Sequence, residues 1–149
     1  MKHIFTKFKL QIIKEESGKY EIENKIDNPE VASYILRNVC NLENETEEVM
    51  MLLTLDTKNK VTGIFEVSRG SLNTSIVHPR EIFKRAIINN ASNVIIAHNH
   101  PSGDTTPSKE DINVTQRLKE CGKILGVELL DHLIIGEGRY CSLKEKGLL

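Results

Sequence analysis

The sequence predicts a three-layer mixed α/β domain, and three observations predict it. Extended and helical hydrophobic periods alternate irregularly along the chain. Two apolar runs, VMMLLTLD and VTGIFEVS, are joined by the tight polar turn TKNK, which is the pattern of a hairpin. No internal repeat, low-complexity tract or Pro/Gly/Ser linker divides the 149 residues. A chain of this size buries roughly 68–70% of the surface its unfolded form exposes, so its core needs neither disulfides nor a structural metal. Any metal it holds therefore requires a functional explanation.

Residues 4–14 mix apolar and basic positions in rough alternation. With the Ser17-Gly18 turn and the polar stretch Tyr20–Lys25 they predict an N-terminal strand or hairpin, an extension over residues 1–28. Residues 29–149 then form the main domain. Asp27-Asn28-Pro29 supplies a capping side chain and a proline suited to a first helical turn, and Val31, Tyr34, Ile35 and Val39 recur at helical spacing, predicting a helix over about 29–40. After the acidic connector Glu43–Glu48 comes the hairpin. Val77 and His78 end a further extended stretch, Pro79 opens a second helix, and Ile82, Phe83, Ala86 and Ile87 line its apolar face. NVIIAHNH reads as a short buried strand. A third helix spans 108–125, with Ser108 as cap, Glu110 and Asp111 in its first turn, Ile112, Thr115, Leu118 and Ile124 on its buried side, and Gly122 and Gly126 marking a frayed end. VELLDHLIIG, the turn Glu137-Gly138 and a short YCSL strand close the domain.

Composition excludes several function classes. Twenty Lys+Arg against 21 Asp+Glu leave a net charge of -1, which gives no bulk attraction to nucleic acid or anionic lipid. The N-terminal MKHIFTKFKLQIIKEE spreads lysines through its apolar residues, and no stretch approaches the roughly 18 uninterrupted apolar residues of a spanning helix, so neither a signal peptide nor a membrane anchor is expected. Cys40, Cys121 and Cys141 are odd in number and widely spaced, which fits neither a secreted disulfide framework nor a paired-cysteine zinc site. A cytoplasmic protein is expected.

The chemistry concentrates in AHNHPSGDTTPSKED, residues 97–111. The period of a strand places His98 and His100 on one face and turns Asn99 the other way. Pro101 and Gly103 break the strand, and the loop returns to the helix whose first turn carries Asp111. Folded back, that loop brings a carboxylate to two imidazoles, the two-nitrogen, one-oxygen set of a catalytic zinc site with a position left for water. Each residue also has an ordinary structural role: histidines at strand ends hydrogen-bond, and Asp at a helix start complements the dipole. Two histidines and one carboxylate also describe non-haem iron oxygenases, although the spacing and strand placement differ there.

His98-x-His100, seven residues, then Ser108-x-x-Asp111 resembles the JAMM signature of the MPN (JAB) metalloprotease superfamily, H-x-H-x7-S-x2-D, at every position. The longer strings VHPREIFKRAI, NVIIAHNHPSGDTTPSKEDI and LLDHLIIG resemble the bacterial RadC branch of that superfamily, the UPF0758 family, over most of the chain from about residue 30 to the C-terminus. The resemblance implies an MPN/JAB (cytidine-deaminase-like) fold, Zn2+ held by His98, His100 and Asp111, and cleavage of a peptide or isopeptide amide bond by a zinc-activated water. Full-length RadC proteins carry an N-terminal helix-hairpin-helix segment, and residues 1–28 show no glycine-centred helical hairpin, so the match is to a short form. The alternative is a non-catalytic or DNA-associated module acting in DNA repair or mobile-element contexts.

In JAMM enzymes the general base is a glutamate at or just before the first core strand, which the resemblance places at Glu48. Glu47 is the neighbouring alternative and Glu66 a poorer match; from the residues alone, both Glu47 and Glu48 read as exposed charges at a strand start. Ser108 caps a helix on its own evidence and, by the resemblance, donates to the oxyanion of a tetrahedral intermediate. Asp104 and Ser102 could orient a histidine or contact substrate but read better as solvated turn residues, His78 reads as a turn residue and His3 as a surface one, and His132 could be a third ligand or a partner to a ligand but reads better as part of a hydrogen-bonded buried pair after Asp131. Cys121 and Cys141 read as small hydrophobes. The expected partner is a protein or peptide substrate; no membrane is expected, DNA has weak support, and no residue pattern sets an oligomeric state.

Overall fold

The computed structural model describes residues 1–70 and 77–149. Among the described residues, three helices and five strands follow in the order α1 (Pro29–Asn38), β1 (Val49–Leu55), β2 (Val61–Arg69), α2 (Pro79–Ile88), β3 (Asn93–Asn99), α3 (Lys109–Leu125), β4 (Glu128–Gly136) and β5 (Arg139–Ser142), with a 3-10 turn at Leu42–Asn44. The strands form one sheet in the order β2-β1-β3-β4-β5. β3 and β4 run parallel and every other neighbouring pair is antiparallel. A parallel pair needs a crossover, and α3 provides it.

The hairpin forms because Asp56 organises its turn: its carboxylate accepts from the backbone N–H of Lys58 and Lys60, and Asn59 takes the left-handed conformation at φ 59°. β1 is buried along its whole length, so its continuous apolar run is a central strand. The pleat sorts its side chains to two sides. Val49, Met51, Leu53 and Leu55 join Ile95, Ala97, Leu133 and Ile135 under Ala32, Ile35 and Leu36 of α1. Met50 and Leu52 join Val94, Ile96 and Leu129 under Ile82, Phe83 and Ala86 of α2 and Leu118 of α3. The result is a helix, sheet, helix arrangement, the three-layer mixed α/β domain expected.

Several local expectations need correction. α1 turns Tyr34 outward, 53% exposed, and meets the sheet through Ala32 and Leu36 instead, which keeps the phenol in water. Ile87 and Ile124 are exposed, so the buried faces of α2 and α3 are narrower than their apolar content suggests. The end of α3 is not frayed: the helix runs through Gly122 to Leu125, and Gly126 closes it at φ 70°. Gly122 sits where a Cβ would collide with the carbonyl of Val127, so its glycine permits the chain to turn back closely.

Residues 1–20 form neither helix nor strand, and Ile4, Phe5, Phe8, Leu10 and Ile13 are exposed; the N-terminal strand or hairpin expected within residues 1–28 is absent, and only an isolated bridge joins Lys25 to Lys60. A lone hairpin is marginal in water, and here no strand of the sheet pairs with this segment. The extended stretch expected before Pro79 falls on residues 71–76, outside the described residues. His78 is the N-cap of α2, its Nδ1 accepting from Arg80 N–H at 3.0 Å. Among the described residues, no helix is long and apolar enough to cross a membrane. The three cysteines are free, Cys141 buried and Cys121 packed against the core, and burial pushes the Cys40 thiol up to about 11.

Candidate metal centre

β3 continues the pleat that buries Val94 and Ile96 on the α2/α3 side, so His98 emerges there, 1% exposed. His100 lies just past the strand, still tied to β4 through its backbone N–H, which donates to Ile135 O at 2.9 Å. Gly103, at φ 84°, reverses the chain, and Ser108 starts α3. A reciprocal capping box then fixes the helix start. Asp111 N–H donates to Ser108 Oγ at 3.0 Å, and Ser108 N–H donates to Asp111 Oδ2 at 2.9 Å. The same carboxylate reaches the histidines: His98 Nε2 lies 3.2 Å from Oδ1, His100 Nε2 lies 3.4 Å from Oδ2, and the two Nε2 atoms are 3.0 Å apart.

These three groups fit a metal ion on two grounds. Four ligands at about 2.0–2.1 Å in a tetrahedron stand roughly 3.3 Å from one another, close to the separations found here. The second ground is donor arithmetic. His100 Nδ1 lies 2.6 Å from the Asp104 carbonyl oxygen, which can only accept, so the ring proton sits on Nδ1 and Nε2 presents a lone pair toward Asp111 and His98. Acceptors facing one another require a proton or a metal cation between them. Asp111 is held ionised: burial opposes its charge, but the His100 and His98 rings facing it outweigh burial and keep the carboxyl well below the usual range. His100 is raised, chiefly by its hydrogen bond to Asp111 against burial, with the Asp104 carbonyl adding to it.

The structure separates the three glutamates. Glu48, just before β1, lies close enough to His100 for its negative charge to contribute to the raised pKa of His100. Glu47 and Glu66 both ion-pair with Arg69 instead. Asn99, pointing away from the histidines, grips the chain around Glu48: its Oδ1 accepts from Val49 N–H at 2.7 Å, and its Nδ2 donates to the carbonyls of Glu47 at 2.9 Å and Glu45 at 3.3 Å. Sequence reasoning turned Asn99 the right way but had no signal for what it would hold.

Ser108 is exposed, and its cap uses the hydroxyl as an acceptor, leaving the hydroxyl proton available to a substrate. Asp104 serves its turn through Thr106, whose N–H and hydroxyl donate to Oδ1, while its carbonyl orients His100. His132 is no ligand. Its ring is not paired with Asp131 either: the Asp131 carboxylate accepts from the His132 backbone, Ser142 Oγ and the Lys144 backbone, and the ring turns to His98, with Nε2 2.8 Å from His98 Nδ1. Burial drives the His132 pKa well down. The loop from His100 to Ser108 sits directly on β4. A Cβ at Gly136 would come 2.5 Å from the Gly103 carbonyl oxygen and 2.7 Å from Thr105 Cγ2. Beside it lies an open groove lined by Ser102, Gly103, Asp104, Glu137 and Arg139.

A mixed five-stranded sheet between helices, with a His-x-His pair where β3 ends and an aspartate in the first turn of the crossover helix, defines a JAB/MPN-type α/β domain with a potential metal centre. Residues 26–148 match the family described as the RadC-like JAB domain, and the chain belongs to that family. It is 56% identical over 126 residues to a UPF0758 protein of Clostridium perfringens, covering 84% of this chain and 54% of that protein. A UPF0758 protein of Clostridium tetani is 57% identical over 124 residues, covering 83% and 54%, and one of Clostridium beijerinckii is 55% identical over 125 residues, covering 84% and 54%. The chain spans about half the length of these curated relatives.

Proposed function

We propose that the chain is a zinc-dependent metallohydrolase that cleaves a peptide or isopeptide amide bond in a protein or peptide substrate. The observation that carries this reading is the convergence of His98, His100 and Asp111, with mutual separations of 3.0–3.4 Å, within reach of the Glu48 charge. His98, His100 and Asp111 would hold the ion. Bound zinc supplies Lewis acidity and brings the pKa of water toward about 7. Glu48 takes a proton from the attacking water and returns it to the leaving amine, a role its place beside His100 suits. Ser108 donates a hydrogen bond from its hydroxyl to the carbonyl oxygen as that oxygen gains charge. The open groove beside the loop gives an extended substrate room to approach.

The test is metal analysis joined to cleavage assays on a mixed peptide and isopeptide library. About one zinc per chain, cleavage abolished in Glu48→Gln with zinc retained, and both lost in Asp111→Ala support the reading. A wild-type chain that takes up no zinc from zinc-containing medium overturns it.

A further inference from the structure

Beyond the three ligands, α3 and β4 contribute two buried polar side chains that the proposed chemistry does not use, Thr115 and His132. Thr115 Oγ1 lies 2.6 Å from the carbonyl oxygen of Asp111 and 2.6 Å from His132 Nδ1. A carbonyl only accepts, and a hydroxyl has one proton, so that proton goes to Asp111. Toward His132 the hydroxyl can then only accept, and His132 Nδ1 carries a hydrogen. The ring is 1% exposed and, among the described residues, its nitrogens bond only to Thr115 and His98, neither an anion, so His132 is a neutral imidazole whose Nε2 is an acceptor. That acceptor lies 2.8 Å from His98 Nδ1, which therefore donates to it. His98 Nε2 is left as a lone pair facing His100 and Asp111.

We infer that Thr115 and His132 are positioning residues for the metal centre: their one-directional hydrogen-bond chain locks His98 in the Nδ1–H tautomer and so aims Nε2 at the ion. The inference deepens the metal-site reading and rests on it. The chain starts at the backbone of one ligand, Asp111, and ends on the ring of another, His98, passing through three elements. The opposite tautomer breaks it. With Nε2 protonated, His98 would need a hydrogen from His132 Nε2, the neutral His132 would then need one from Thr115, and the 2.6 Å contact between Thr115 Oγ1 and the Asp111 carbonyl would be left as two acceptors facing each other. His98 and His100 thus reach the same state by different means, a ring partner in one case and the Asp104 carbonyl in the other.

The test uses the full chain, metal-free and zinc-titrated. Long-range proton–nitrogen correlation spectra of the imidazole rings, assigned with single-histidine variants, report the His98 tautomer without metal or activity. Wild type and Thr115→Ser should show Nδ1–H; Thr115→Val and His132→Leu should show mixed tautomers and bind zinc about 10–100-fold more weakly in chelator competition, while their circular dichroism stays that of wild type. An Nε2–H tautomer in wild type, or Thr115→Val and His132→Leu variants that fold with unchanged His98 tautomer, would overturn the inference. Should a variant fail to fold, the wild-type spectrum alone still decides, because it reads the tautomer directly. Zinc refusal by wild type overturns the metal reading instead, and the metal-free tautomer keeps the two failures distinct.

Discussion

The two sides of the sheet are built from the same strands and do different things. Toward α1 the interior is apolar along the strands, from Val49 to Leu55 on β1 and through Ile95, Ala97, Leu133 and Ile135. Toward α2 and α3 it is apolar only as far as Ile96, and the next same-side position on β3 is His98, with His132 and Thr115 buried around it. The pleat makes this division of labour cheap. A substitution at one position of a strand alters one side alone, so one face can be scaffold while the end of the other becomes a site. The site also lies at the carboxyl end of β3, where a parallel β-α-β unit leaves room between strand and crossover helix.

The comparison breaks most completely on the polar side. His98→Ala or His100→Ala should take metal content from about one per chain to near zero while the domain still unfolds cooperatively, as elemental analysis and thermal melts would show. On the apolar side the reverse is expected: Leu53→Ala, at a fully buried position, should cost about 2–5 kcal/mol in denaturant unfolding and leave the metal content of the folded chain unchanged. Proton competition sharpens the contrast further. Because His100 has a raised pKa, its proton competes with the metal from above the ordinary histidine value of about 6.5, and apparent zinc affinity should fall as pH drops through that range. Asp111, held ionised well below it, adds nothing there, and chelator competition across pH reads the slope. The smallest effect belongs to Ser108→Ala, which should cost about 1 kcal/mol of stability by removing the cap and should leave zinc bound, with any hydrolytic rate falling much further than stability.

The scaffold was legible in the sequence wherever a local rule determined it. Asn28 and Pro29 announced α1, Ser108 and Asp111 announced α3, and the turn between the apolar runs announced the hairpin, because caps and turns act within a few residues. The convergence of His98, His100 and Asp111 was legible too, since strand period and loop length brought the three together without knowledge of the rest. What escaped depends on partners far along the chain. Tyr34 and Ile124 carry the right hydrophobicity at helical spacing, yet which arc of a helix is buried is decided by the sheet it meets. Asn99 and Thr115 looked ordinary because their bonds go to segments about 50 and 17 residues away. The N-terminal alternation failed for a related reason, a strand pattern with no strand to pair with.

Gly136 gives the centre a control point outside its ligands. The loop that carries His100 and Asp104 rests against a strand position with no side chain, so its height above β4 is set by bare backbone. Gly136→Ala would push against the Gly103 carbonyl and Thr105 from beneath, moving Asp104 relative to His100 with every coordinating residue intact. Such a site can be retuned from below: a single methyl group there would change the reach of one imidazole, and with it the grip on any ion the centre holds.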